Sequence, residues 1–516
     1  MRILNHKQAR AADRQSIEDY GISAERLMEN AGVSVVDALE RTLGDLDDLR
    51  VGVLCGIGNN GGDGLVVSRL LSEFQCDVQV WIVGDLTRMT QDTKSQYDRL
   101  ISAGTSIVTV TEIEELKNRE EELNNWDVAI DALLGTGINK PLTGLLKMIV
   151  AHLNENSSFV VSIDVPTGLS DSNLSIGHCV EADLTVSLGA IKTTLLSPSV
   201  RDSVGDLCVG DIGIPPEVIE NLQGPRLSLL MPDEIAAVIP ERRRSSHKGN
   251  YGHVLIIGGS VGKTGAAILA GYGALKSGAG LVTIAAPEKS IPTIAAHMPD
   301  YMTLPLVQGS TGEFEEECIE ALLESKVDVI AIGPGLGTEV FMQNLLYRLF
   351  ESSTCGFVLD ADALNICALD MNQFRNRNKS GDLVITPHPG EMARLCGDSV
   401  ETVQKNRSEI AKSFAEEYGV YVILKGANTV ISSPKGEMFL NPTGNPGMAT
   451  GGAGDLLAGA VAGWMGQIDS LDACKAATYI HGLAGDIAAE ESGEVSITAT
   501  DIKNCFSRAT TELCVQ

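Results

Sequence analysis

The chain has 516 residues, 44% hydrophobic and 21% charged, enough for two large cored domains or three small ones. Lys plus Arg number 39 against 68 Asp plus Glu, a formal net charge of −29. That field repels phosphate backbones and anionic headgroups, so it argues against nucleic acid or a membrane surface as a partner. Aromatics make up only 4%, so the cores must be built from Val, Ile, Leu and Ala. The 11 cysteines show no C-x-x-C pair, which reads as reduced thiols in a cytoplasmic protein. Met1-Arg2-Ile3-Leu4-Asn5-His6 lacks an apolar signal core, and no run approaches the roughly 18 apolar residues of a membrane span.

Short runs rich in β-branched residues fall at 51–55, 78–83, 128–130, 159–163 and 184–188. They are too short for helices and read as buried strands of a parallel sheet. Helical patterns lie between them, as at 24–43 and 64–73, so the class is α/β. From Ile214-Pro215-Pro216 to Pro232 the pattern lapses, which sets a domain boundary at about 220–235 and domains of 1–220 and 230–512. It resumes with strands at 254–257, 281–285, 329–332, 357–359, 383–385 and 421–424. Residues 429–432 and 437–440, joined by Ser433-Pro434-Lys435-Gly436, read as a hairpin, and a long helix follows from Asp455. Arg242-Arg243-Arg244 reads as a solvated basic run.

In the first half, strand 51–55 leads into Gly56-Ile57-Gly58-Asn59-Asn60-Gly61-Gly62-Asp63-Gly64. A strand, a glycine-rich turn and a helix point backbone N–H groups at an anion. The match to G-x-G-x-x-G is weak alone, and Asn59-Asn60 is unusual for a dinucleotide fingerprint. Two further strand ends carry polar groups, in Asp131-Ala132-Leu133-Leu134-Gly135-Thr136-Gly137 and Asp164-Val165-Pro166-Thr167-Gly168. Ligands of open α/β sheets bind beyond the carboxyl ends of strands, where Asn60, Asp131 and Thr167 would converge. An all-oxygen set suits a hard cation rather than zinc. Either aspartate alone reads as a helix cap, and the coincidence of three strand ends favours a site.

Together N-N-G-G-D-G, D-A-L-L-G-T-G and D-V-P-T-G resemble the NAD(P)HX epimerase family, as does the stretch from Gly21-Ile22-Ser23 to Leu27-Met28-Glu29-Asn30-Ala31-Gly32. NAD(P)HX is NADH or NADPH hydrated across the C5–C6 bond of the nicotinamide ring. The resemblance covers about residues 1–215 and implies a Rossmann-like three-layer domain. It implies contacts to the hydrated nucleotide from Asn59, Asn60, Gly61, Gly62 and Asp63, and from Gly135, Thr136, Gly137, Ile138, Asn139, Lys140 and Pro141. It places Asp164 at the substrate and a potassium ion on Asn60, Asp131 and Thr167, where the family commonly has serine at 167. Lys192, in Gly189-Ala190-Ile191-Lys192, holds the family's lysine position, and a lysine at a strand end suits an acid/base partner of Asp164.

In the second half, Asn445-Pro446-Gly447-Met448-Ala449-Thr450 precedes Gly451-Gly452-Ala453-Gly454-Asp455 and an apolar helix. Glycines admit a phosphate close to the backbone, the helix start stabilises negative charge, and Asp455 is placed to take a proton from an attacking hydroxyl. The plain alternative is a glycine-rich helix cap with an ordinary first-turn acid. Gly258-Gly259-Ser260-Val261-Gly262-Lys263-Thr264 imitates a Walker A loop, but Ile257 stands where its first glycine belongs. Other polar strand ends are Gly333-Pro334-Gly335-Leu336-Gly337, Asp360-Ala361-Asp362, Thr386-Pro387-His388-Pro389-Gly390-Glu391 and Lys425-Gly426-Ala427-Asn428-Thr429.

With Ser246-His247-Lys248-Gly249, Tyr251-Gly252-His253 and Gly265-Ala266-Ala267, these resemble the ADP/ATP-dependent NAD(P)HX dehydratases over about residues 235–510, implying a ribokinase-like α/β domain. The resemblance implies nucleotide contacts from Lys425, Gly426, Ala427, Asn428, Thr429 and Gly454. It implies hydrated-substrate contacts from Ala266, Gly337, His388 and Asp455, with Ala453 where relatives often carry Ser or Thr. The expectation is a fused repair enzyme using K⁺ at the epimerase site and Mg²⁺ with ADP or ATP at the dehydratase site. Resemblance to bacterial two-domain members favours ADP and a homo-oligomer. A small-molecule kinase on the same fold and a non-catalytic nucleotide-binding scaffold are the rival readings.

Overall fold

The computed structural model describes all residues except Asn139, Ser157, 170–177, 309–313 and 516. Contacts divide the chain between Arg226 and Leu227 into two compact units. Among the described residues no helix is long and apolar enough to cross a membrane.

The first unit contains β1 (Arg2–Ile3), β2 (Arg50–Cys55), β3 (Asp77–Val83), β4 (Ile107–Val110), β5 (Val128–Ala132), β6 (Phe159–Ile163), β7 (Leu184–Leu188) and β8 (Asp206–Gly210). Seven of them form a parallel sheet in the order β4-β3-β2-β5-β6-β7-β8. Helices cover both faces, and the pleat explains why: Val51, Val53 and Cys55 enter one apolar layer while Leu54 enters the other. Gly52 leaves room for the Trp126 ring, which a Cβ there would meet at 1.9 Å. The order reverses between β2 and β5, so the crevice beyond their carboxyl ends is a topological switch point. Strands β4 and β8 escape the sequence pattern. Both are edge strands with half-exposed residues, so neither reads as a continuous apolar run.

The second unit contains β9 (Leu227–Leu229), β10 (His253–Ile257), β11 (Leu281–Pro287), β12 (Met302–Leu306), β13 (Val329–Ile332), β14 (Gly356–Leu359), β15 (Leu383–Ile385), β16 (Tyr421–Leu424), β17 (Val430–Ser432) and β18 (Met438–Leu440). Their order is β9-β18-β17-β16-β15-β14-β13-β10-β11-β12. From β16 to β12 all pairings are parallel, and β17–β18 is the expected hairpin.

Helices Thr264–Lys276 and Ala453–Met465 pack with almost no side chain between them. A Cβ on Gly459 would lie 1.7 Å from the Ala270 carbonyl oxygen, and one on Gly463 2.6 Å from that of Ala274. These pairs make the helices parallel in a fixed register. Carried one turn back, the register sets Ala266 beside Asp455, so backbone packing aligns two helix starts.

Candidate active sites

In the first unit, helix Asn59–Leu71 follows β2 after a turn at 56–58. The helix starts at Asn59 rather than near Gly64, so the N-N-G-G-D-G segment is the beginning of the helix and not a loop before it. Its glycines serve close packing. A Cβ on Gly61 would lie 1.8 Å from the Gly56 carbonyl oxygen, and one on Gly62 2.5 Å from Met28 Cε.

Beyond the strand ends lies a cavity of about 610 Å³. Of the residues expected at substrate, Asn59, Asn60, Asp63, Gly135, Thr136, Gly137, Ile138, Lys140, Pro141 and Asp164 line it, as does Lys192. Gly61 and Gly62 do not, since they pack against protein, and Asn139 lies outside the described residues.

Asp164 holds a left-handed backbone, φ 69°, which costs a non-glycine residue about 1–3 kcal/mol. Its Oδ1 accepts from the Lys192 ammonium and from Leu188 N–H at 3.3 Å. Lys192, only 2% exposed, also donates to the Leu188 carbonyl at 2.6 Å. Burial, then the Asp164 and Asp13 charges, hold the Asp63 carboxyl well above its ordinary value. Asp13, on helix His6–Glu18, opens to the same cavity. Burial, with Asp164 adding and Lys192 opposing, raises its carboxyl to about 6.

Asp131 and Thr167 meet directly beneath this cavity wall. The Thr167 hydroxyl donates to Asp131 Oδ1 at 2.7 Å and Thr167 N–H to Oδ2 at 2.8 Å, while Ser162 and Leu133 supply further donors. Burial nonetheless pushes the Asp131 carboxyl up against all four donors. Asn60 faces the cavity with its amide Nδ2 buried and unpartnered. A carboxamide is nearly symmetric in shape, so half a turn about Cβ–Cγ presents its oxygen to that spot instead. The three residues carry carboxylate, hydroxyl and amide oxygens, the donor types of a hard cation, but only Asn60 of the three lines the cavity, and the Asp131 oxygens are taken by the four donors above.

In the second unit, Lys425 follows β16 and donates to Asp360 Oδ1 at 2.7 Å. Asp360 is 2% exposed and also accepts from the Thr386 hydroxyl at 2.9 Å. Burial alone lowers the Lys425 ammonium, but Asp360, Glu391 and Asp455 outweigh it and raise it. A Cβ on Gly454 would stand 3.0 Å from Lys425 Nζ, so glycine lets the helix start approach this cation. Asp455, in the first turn of Ala453–Met465, makes no hydrogen bond with another described residue. Burial, then Asp360, raise its carboxyl to about 7 against the opposing pull of Lys425.

Asp362 Oδ2 accepts from Gly337 N–H at 2.8 Å and from Lys263 at 3.2 Å, drawing the false Walker loop toward the site. The loop 425–429 is strained, with Gly426 at φ 137° and Asn428 at φ 51°, and the Thr429 hydroxyl closes it on the Gly426 carbonyl at 2.9 Å. Arg407 supports it by donating to the Leu424 and Lys425 carbonyls at 2.8 and 3.2 Å. His388 caps helix Pro389–Cys396: Nδ1 accepts from Gly390 and Glu391 N–H at 3.0 and 3.3 Å, while Glu391 accepts from His388 N–H at 2.7 Å. Burial, then Lys425, depress this imidazole, which suits its acceptor role.

Residues 254–508 match the family described as NAD(P)H-hydrate dehydratase, and residues 24–194 that described as YjeF-related protein N-terminus. A bifunctional NAD(P)H-hydrate repair enzyme of Thermofilum pendens is 36% identical over 99% of this chain and 96% of its own length. The enzyme of the same description from Moorella thermoacetica is 38% identical over 95% and 93%. That of Escherichia coli K12 is 31% identical over 97% and 92%. The chain belongs to the bifunctional NAD(P)H-hydrate repair enzymes.

An ADP/ATP-dependent NAD(P)H-hydrate dehydratase of Bacillus subtilis, crystallised with ATP and Mg²⁺, superposes with a TM-score of 0.50 at 33% identity, covering 55% of this chain and 98% of that one. The chain therefore joins a Rossmann-like epimerase domain to a ribokinase-like, ADP/ATP-dependent dehydratase domain. Its two sites contain groups that no motif announces. Asp13 is one of two acids on an amphipathic helix, and Arg407 lies outside every glycine-rich segment. Asp360 is visible as a strand end, but its pairing with a lysine 65 residues away is not.

Proposed function

We propose that the first site interconverts the C6 epimers of hydrated NADH or NADPH, and that the second returns the S epimer to the reduced cofactor at the expense of ADP or ATP. In the second site Asp455 takes the proton of the C6 hydroxyl. The freed oxygen attacks the terminal phosphorus of the nucleotide, and the bond to its bridging oxygen breaks. The C6–O bond then breaks with the ring nitrogen lone pair assisting, phosphate leaves, and loss of a C5 proton restores the dihydropyridine. Phosphorylation turns a poor leaving group, hydroxide, into a good one.

The loop Lys425, Gly426, Ala427, Asn428 and Thr429, with Gly454, holds the nucleotide, and Ala266, Gly337 and His388 hold the hydrated ring. Mg²⁺ with the nucleotide would neutralise charge on the transferred group. At the first site Asp164, paired with Lys192, handles the proton, and Asn59, Asp63, Gly135, Thr136, Gly137, Ile138, Asn139, Lys140 and Pro141 line the bound nucleotide. Asn60, Asp131 and Thr167 would hold K⁺, whose charge would favour phosphate nearby. The functional domains are 1–220 and 230–512, and the enzyme assembles as a homo-oligomer, measurable by sedimentation.

One observation carries the assignment of Asp455: Lys425 and Asp360 neutralise each other, and Asp455 is left uncommitted at a helix start. In Asp455→Asn, ADP- or ATP-dependent recovery of dihydronicotinamide absorbance should fall by roughly 10²–10⁴-fold while epimerisation persists. Undiminished dehydration would sink the assignment. Exchanging K⁺ for tetramethylammonium should slow epimerisation alone, and an unchanged rate would remove the cation from the first site.

A further inference from the structure

Leu4 forms a parallel bridge with Lys192, donating to the Ile191 carbonyl and accepting from Thr193 N–H, both at 2.9 Å. The helix His6–Glu18 starts two residues later, fixed by the Asn5 capping box. The N-terminal segment is therefore anchored beside the lysine that binds Asp164. On the helix, Ala9, Asp13 and Ile17 recur at four-residue spacing and all line the 610 Å³ cavity. Two of these positions are apolar, as a packing face requires, and the one between them is an acid. The Asp13 side chain makes no hydrogen bond or ion pair with another described residue, so its carboxyl is uncommitted. The Asp164 Oδ1 is occupied by Lys192 and by Leu188 N–H, which leaves Oδ2 for substrate.

Epimerisation at a carbinol carbon beside a ring nitrogen moves two protons: one is given to the departing oxygen, and one is taken from the oxygen that arrives. One carboxyl serves one of these tasks, and Lys192, the partner expected from the sequence, is committed to Asp164 Oδ1 and the Leu188 carbonyl, so the reaction needs another group. Accepting the epimerase reading above, we propose that Asp13 is the second proton-handling group of this site. Asp13, protonated, gives its proton to the C6 hydroxyl. The C6–O bond breaks, water leaves, and the ring nitrogen lone pair forms a C6–N double bond. A second water adds its oxygen to C6 from the other face, its proton passes to the Asp164 carboxylate, and the lone pair returns to nitrogen. The net change is inversion at C6 and transfer of one proton from Asp13 to Asp164, which solvent reverses. In the opposite direction the two groups exchange tasks.

The environments of the two carboxyls support the division. Asp164 sits against a buried ammonium, whereas burial and the Asp164 charge raise Asp13 to about 6, near enough to neutrality for it to carry a proton. The other charged side chains at the cavity are Asp63, Arg10 and Lys140. Asp63 is the fifth residue of its helix, and its carboxyl is held well above the ordinary value by burial and by Asp164 and Asp13.

The test supplies the R epimer alone with ADP, so that absorbance returns only through epimerisation, and supplies the S epimer separately as an internal control. Asp13→Asn keeps the shape and should lower kcat for the R epimer by about 100-fold, with KM within about twofold and S-epimer turnover intact. Asp13→Glu should restore at least a tenth of the lost rate. Near-ultraviolet dichroism of the edge-to-face pair Trp81–Trp126, inside this unit, reports that the variant is folded. Unchanged kcat in a folded Asp13→Asn overturns the proposal, as does a rise in KM shared equally by Asp13→Glu, which would make Asp13 a binding group. Asp164→Asn separates the two levels: if it too leaves R-epimer turnover unchanged, the epimerase reading falls, whereas if it alone abolishes turnover, only the role of Asp13 falls.

Discussion

Both sites set a lysine against one aspartate at the end of a parallel sheet, yet they assign that aspartate differently. Lys192 binds Asp164, the carboxyl that faces the cavity, whereas Lys425 binds Asp360, which is almost wholly buried. In the first site the cation therefore touches the carboxyl proposed to handle the proton. In the second it is diverted to a neighbour, and Asp455 keeps a carboxyl raised to about 7. The same pair of residue types holds a cavity-facing carboxylate in one place and, in the other, fixes a positive charge beside the helix start while leaving the Asp455 carboxyl unpaired.

The largest expected effect breaks this contrast at the lysines. Lys425→Met leaves the Asp360 charge buried and unpaired, which should destabilise the second unit by about 3–5 kcal/mol. Lys192→Met strands Asp164 as well, but Asp164 opens to the cavity, where solvent can reach it, so the loss there should be smaller. Urea titration of the two variants checks the order, and equal losses would mean that both aspartates are equally sealed.

Next in size is the pH dependence of dehydration. Asp455 acts as a base only when ionised, so kcat/KM should rise about tenfold per pH unit below about 7 and level off above it. The sign follows from the raised carboxyl: protons bound below about 7 are the inactive form. Asp360 is the charge that contributes most to the rise, and in Asp360→Asn that contribution disappears while Lys425 is freed to favour the Asp455 carboxylate. The limb should then move to lower pH. A limb that stays put in Asp360→Asn belongs to another group, such as a nucleotide phosphate.

The sequence reveals these two sites unequally because their parts are held by different forces. Inner strands such as β13 are continuous apolar runs covered on both faces, so their composition announces them. Short strands such as β9 owe their existence to sheet neighbours, and edge strand β12 has only Leu306 buried among its five residues, so it shows no apolar run. The glycine segments lie at the two candidate sites, but for a mixed reason. Gly454 clears space beside Lys425, whereas Gly61 and Gly62 clear space for the protein's own backbone and for Met28. A motif reports that something approaches closely, and only coordinates say whether it is a ligand or the fold. Asp13 and the Lys425–Asp360 pair depend on which elements the topology makes adjacent, and spacing along the chain carries no trace of that.

The smallest effect concerns His388, where a structural duty and an expected substrate contact share one ring. Its Nδ1 caps a helix, and the rest of the imidazole is half exposed. Removing a helix cap costs about 0.5–2 kcal/mol, while asparagine is itself a good cap. His388→Ala should therefore lose stability by about that amount, and His388→Asn should lose little. Both remove the imidazole, so both should raise KM for the hydrated cofactor similarly if the ring touches it. A KM that rises only in His388→Ala would trace the effect to the helix start, and the C-terminal site would then recognise its ring substrate without this histidine, through Gly337, Ala266 and Asp455.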